Sequence, residues 1–166
     1  MAVNPQQSSL SGLARALVQA GRLREAEAET LLAQSAATRT TFIEQLVTTR
    51  KATSTEIARF ASDTFGYPLL DLEAFDDAHV LKTAIDRKLI ATHRVVPLHK
   101  RGNRLSVAIA DPTNLRALDE IRFQTGMAVD PVIVDEGQLS PLVTKLSESA
   151  EETLKSLTNE DINLEF

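Results

Sequence analysis

Cysteine is absent from all 166 residues, which excludes disulfides, thiolate nucleophiles and cysteine-ligated zinc or iron–sulfur centres. Tryptophan is missing too, tyrosine occurs once, and aromatic residues make up only 4%. No apolar run approaches the ~20 residues of a membrane span. The amino terminus, MAVNPQQSS, lacks the basic and apolar regions of a signal peptide. These absences point to a cytoplasmic protein. Glycine is sparse, and none of the six glycines begins a Gly-x-x-x-x-Gly-Lys-Ser/Thr loop, a Gly-x-Gly-x-x-Gly fingerprint or a Gly-x-Ser-x-Gly elbow. A self-contained P-loop NTPase, a dinucleotide fold and a serine hydrolase of that type therefore find no support.

Apolar residues make up 43% and charged residues 25%, the composition of a globular body with one ordinary domain or two small ones. The net charge of −5 lies wholly in residues 147–166, where six acids face one lysine. The first 146 residues carry 17 acids and 17 bases and are neutral. A neutral body poor in aromatics is not built for nucleic acid. Lys100, Arg101 and Arg104 cluster at one turn and read as solvated.

Residues 1–8 are expected to be disordered. Leu10, Leu13, Leu17 and Val18 then recur at helical spacing up to Gly21, and a second helix is expected over 24–34. A third spans about 40–50 through Phe42, Leu46 and Val47. Thr53 with Glu56 forms a capping box for a fourth, which Gly66 closes. Leu13, Leu17, Val18 and Leu31 map onto Phe42, Leu46, Val47 and Phe60 at a constant offset of 29 residues. Residues 9–66 thus read as a four-helix unit made of two related helix pairs.

From Tyr67-Pro68 the pattern changes to an extended segment, then short helical pieces near 78–83 and 86–93. RVVPLHKRGNRLSVAIA reads as a hairpin whose Pro97 places its strand at an edge or a bulge. A helix over 114–125 with Leu115, Leu118, Ile121 and Phe123 follows, ended by Gly126. AVDPVIV is a third strand, in which Pro131 again marks an edge or bulge. Asp135, three residues before Gln138, opens a last helix. The fold class is α+β: the four-helix unit, then a small β-β-α-β-α layer over 67–146, with 147–166 an acidic linker.

The stretch SVAIADPTN contains the most suggestive acid. Asp111 before Pro112 reads as a helix N-cap with proline in the first turn. A catalytic or metal-binding carboxylate would need convergent partners, and Asp119 and Glu120 lie two turns further along the same helix. Asp76-Asp77 reads as an end-of-helix charge pair. His79, His93 and His99 lack the spacing of a zinc pair, so no metal is expected.

YPLLDL at 67–72, RVVPLHKRGNRLSVAIADPTN at 94–114, ALDEIRFQTG at 117–126 and VDPVIV at 129–134 together resemble the amino-terminal region of type II secretion and type IV pilus assembly ATPases. The order and spacing of the four segments match over roughly 66–146. The resemblance implies a Walker-type motor, with its ATP and magnesium, carboxy-terminal to this region, and a homo-hexamer for the full-length protein. The present chain is then expected to be a monomeric fragment with no cofactor of its own.

The helical repeat is similar to a paired motif that in some members of that family binds cyclic di-GMP. Each family copy begins Arg-Leu-Gly. Here Gly12-Leu13-Ala14 and Thr41-Phe42-Ile43 stand at those starts, Leu17, Gly21 and Leu46 match, and Arg50 replaces the second glycine. Without the two arginines, direct dinucleotide binding is not expected. Control would pass through protein contacts, and the family implies a PilZ-type regulator or inner-membrane platform proteins as partners, with recruitment to the pilus machinery.

A ~55-residue unit has a shallow core. Leu10, Leu13, Leu17, Phe42 and Leu46 are accordingly the candidate partner-binding residues, as an apolar face left outside. The alternative is that they form the four-helix core. A direct cyclic di-GMP sensor and a spacer supporting hexamer assembly are the rival functions. An enzyme ranks last, since no acid, base and nucleophile converge.

Overall fold

A computed structural model describes Leu10 and residues 12–148. The expectations for residues 1–8, and for the acidic tail past 148, lie outside the described residues. Four helices come first, α1 (Gly12–Gln19), α2 (Glu25–Thr38), α3 (Phe42–Thr48) and α4 (Ser54–Phe65). Two single 3-10 turns, Leu72–Ala74 and Asp77–His79, lead to α5 (Arg87–His93). Then come β1 (Val96–Arg101), β2 (Arg104–Ile109), α6 (Leu115–Thr125), β3 (Ala128–Ile133) and α7 over residues 136–148. This is the α+β order that the periodicities predict. The helical piece expected at 78–83 contracts to one 3-10 turn, and α2 runs on to Thr38.

The internal repeat is written into the backbone. The Gly21 amide donates to the Val18 carbonyl and the Arg22 amide to that of Leu17; 29 residues on, Arg50 donates to Val47 and Lys51 to Leu46. Gly21 and Arg50 both adopt the left-handed region, with φ of 71° and 58°. Arginine thus holds a turn that suits glycine, at a steric cost of about 1 kcal/mol. The second helix of each pair starts alike: Glu27 accepts from the Arg24 amide and Glu56 from the Thr53 amide. In the second pair Thr53 also accepts from the Glu56 amide, completing the predicted capping box.

The sheet has the order β1-β2-β3, with β1 and β2 antiparallel and β2 and β3 parallel, joined by the α6 crossover. Both outer strands carry a proline turned away from β2. The Pro97 carbonyl accepts from Leu81 outside the sheet, and the β1 register slips between Pro97 and His99, so this strand has both the edge and the bulge. On β3, Ile133 exchanges bonds with Pro68 and Leu70, so Pro131, two residues before it, faces the same outer side. Neither proline costs a ladder bond.

One continuous core joins the two units, from Leu13, Leu17 and Leu46 through Ile57 and Ala61 to Val107, Ile109, Ile121 and Ile133. Helix α6 buries Ala117, Leu118 and Ile121, the last two as part of that core. Phe123, expected on that face, is 92% exposed, and Leu115 is 62% exposed. Two residues are about 200° of helical turn, so Phe123 points away from Ile121.

Candidate functional site

A cleft of about 700 Å³ lies between the helical and α/β units. From the helical side it is lined by Gly12, Leu13 and Ala14 and by Thr41, Phe42 and Ile43. These are the starts of the two repeats, brought to one place by the pairing of the helices. From the α/β side come His93, Arg94, Glu136 and the turn Asp111–Asn114.

That turn differs from the sequence expectation in one respect. Asn114 is the N-cap of α6, accepting from the Ala117 amide at 3.3 Å, and the helix begins at Leu115. Asp111 instead folds the turn ahead of it, its Oδ1 accepting from both the amide and the hydroxyl of Thr113. Asp111 and the Thr113 hydroxyl are taken up by each other and by the Leu13 amide, and Asn114 is the residue left to cap α6. The arrangement reaches across the seam: Thr113 Oγ1 accepts from the Leu13 amide at 3.2 Å. Gly12 makes this approach possible. Its φ is 61°, and a Cβ there would stand 2.5 Å from Thr113 Oγ1.

A second node closes the same cleft. Arg94, a left-handed C-cap of α5, places Nε and Nη2 on Glu136 Oε1 and reaches Glu44 Oε1 on α3 at 3.2 Å. Burial pushes the Glu136 carboxyl above its ordinary value; Arg94 opposes the rise, while Glu44 and Asp135 add to it. Nearby, His93 Nε2 bonds Glu120 Oε2 at 2.6 Å, and this contact with that of Arg116 holds the Glu120 carboxyl low. Asp135 opens α7 and ties it to α4. Burial would raise its carboxyl, but the hydroxyls of Ser54 and Thr55 and the amides of Gly137 and Gln138 outweigh that and hold it low.

Every acidic group facing the cleft is thus engaged in holding the fold. Arg94 is the one lysine or arginine among the described lining residues, and two carboxylates already share it. Chemically the cleft suits docking or a polar ligand with few charges better than proton transfer. Asp76 caps the 3-10 turn through the Ala78 amide, and Arg104 pairs with Asp130 across β2 and β3.

The candidate partner-binding leucines are placed differently from the exposed face expected of them. Leu10, Leu13, Leu17 and Leu46 are each at most 5% exposed and belong to the core. The helical unit is small, but the α/β unit closes over it, so these side chains need no external partner. Phe42 is half-buried and lines the cleft. Thr113, Arg94, Glu44 and Glu136 were not singled out by sequence reasoning. Each lies beside a recognised motif, but their meeting depends on the seam.

Residues 65–153, more than half of the chain, match the MshEN domain family. The type IV pilus assembly ATPase PilB of Pseudomonas aeruginosa is 36% identical over 156 residues, covering 94% of this chain and 27% of that protein. PilB of Acinetobacter baylyi is 36% identical over 155 residues, with 93% and 26% covered. The chain spans about a quarter of the length of these curated relatives. Among solved structures, MshE with cdg superposes with a TM-score of 0.58 at 23% identity, over 82% of this chain and 99% of that one. The N-terminal domain of XpsE gives 0.60 at 20% identity, over 80% and 91%. At such identities the likeness is one of fold. No helix among the described residues is long and apolar enough to cross a membrane. By its family match and by the pilus ATPases whose amino-terminal regions it parallels, the chain belongs to the MshEN-domain family of pilus-assembly and secretion ATPase amino-terminal regions.

Proposed function

We propose that this chain is the non-catalytic regulatory and docking region of a cytoplasmic pilus-assembly motor, binding a PilZ-type regulator or an inner-membrane platform protein to control pilus extension. The observation that carries the reading is the seam. Both repeat starts and the Asp111–Asn114 turn meet across one cleft whose charged groups are committed to holding the two units together. A contact on either unit is therefore felt by the other. With the leucines buried, the large apolar side chains most exposed to a protein partner among the described residues are Phe123 and Leu115 of α6, Phe123 away from the cleft and Leu115 at its edge, ahead of Leu69 and Val47. Catalysis and nucleotide use belong to the motor, in the part of the relatives that this chain does not span.

Co-purification with a purified PilZ-type protein and with the cytoplasmic part of a platform protein tests the reading. The wild-type chain should capture one of them, and Phe123→Asp should lose capture at unchanged thermal stability. Failure to capture either would overturn it.

A second reading is a cyclic di-GMP sensor. It is favoured by the position of the cleft at both repeat starts and by the fold neighbour MshE, solved with cdg. Against it stand the missing arginines at both starts and an Arg94 already neutralised. Calorimetric titration of the chain with cyclic di-GMP decides: micromolar binding establishes the sensor, and no heat leaves the docking reading.

A further inference from the structure

The Arg94 node is unequal on its two sides. Toward Glu136 it makes two contacts, at 3.0 and 2.5 Å, with a carboxylate only 8% exposed. Toward Glu44 it makes one, at 3.2 Å, with a carboxylate 30% exposed. Glu136 lines both the large cleft and a smaller cavity of about 200 Å³, bordered by Val47 and Thr48 of α3 and by Ser140 of α7. The ion-paired node is thus the wall between the two spaces.

We propose that the Glu44–Arg94 ion pair is a releasable latch between the helical and α/β units. On release, Arg94 stays on Glu136, and cleft and cavity join into one groove along α3. The chemistry of Glu44 suits a contact that can open. Its Oε1 meets Arg94 while its Oε2 accepts from the Thr41 amide at 2.9 Å, so α3 keeps its cap when the ion pair breaks. A single, partly exposed contact is the one that solvent and salt weaken, whereas the double contact in the buried site is held by the cost of leaving Glu136 unpaired. The latch does not rest on which partner binds. Capture of a regulator can fail while the latch stands, and the reverse.

Amide hydrogen exchange on the full chain, wild type against Glu44→Gln, tests it at low and at high sodium chloride. Glutamine keeps the helix cap and removes only the charge. The Leu13 amide, bonded across the seam to Thr113, reports opening. It should exchange about two- to fivefold faster in the variant at low salt, with the β2 ladder amides unchanged. Salt should bring the wild type toward the variant and leave the variant where it was. Equal Leu13 exchange in the two proteins, a wild type indifferent to salt, or an acceleration shared by the β2 ladder would overturn the latch.

Discussion

Gly12 and Gly21 adopt nearly the same φ, 61° and 71°, yet they do different work. A methyl group at Gly21 meets nothing within 4 Å, so Gly21→Ala carries only the left-handed penalty, about 1 kcal/mol. At Gly12 the same methyl runs into the Thr113 hydroxyl that ties the two units together. Backbone strain and overpacking add there, and Gly12→Ala should lose about 2 to 4 kcal/mol. Urea unfolding of the two variants measures the difference; equal losses would mean that Thr113 moves aside freely. Gly12 was visible in the sequence as the first residue of the first repeat's starting triplet. Its contact partner, about a hundred residues away, was not, because spacing along a helix says nothing about what lies across a seam.

At the scale of elements, local chemistry accounts for most of what formed. Thr41 with Glu44 and Thr53 with Glu56 start helices, Gly66 and Gly126 end them in the left-handed region, and Pro97 and Pro131 sit on sheet edges. Where the local reading failed, two caps competed. Asp111 and Asn114 both qualify as helix starters, and the choice fell to Asn114 because Asp111 is held by Thr113.

Asp135 joins two elements at once, and its pH behaviour follows from its partners. Its folded carboxyl is held below the ordinary value, so its contribution to stability is present above that value and is lost as pH falls through the depressed one. Glu136, held above its ordinary value, has the opposite sign: its contribution is greatest in acid and is lost as pH rises through the raised value. Asp135→Asn should therefore flatten the acid limb of the stability curve below about pH 4. Chemical denaturation from pH 3 to 7 tests this, and an unchanged acid limb would assign that limb to other carboxylates.

At the scale of the molecule the shared core decides the outcome of core substitutions. Leu13→Asp puts a charge among side chains of both units, and it should unfold helices and sheet in one transition, with a loss of about 4 kcal/mol or more. Circular dichroism with tyrosine fluorescence follows both units, since the single tyrosine lies at the start of the α/β unit. A variant that keeps its sheet while losing its helices would show two independent domains.

The chain by itself determined the order of helices and strands, the 29-residue repeat, the edge prolines and the family, since each is carried by residue types and their spacing along the chain. Only the tertiary structure decided that Leu10, Leu13, Leu17 and Leu46 are core, that Phe123 is outside, and that Glu44, Arg94 and Glu136 share one node. The physical reason is that burial and ion pairing are properties of neighbours in space. An apolar helix stripe looks the same in sequence whether it is covered by a partner protein or, as here, by the second half of its own chain.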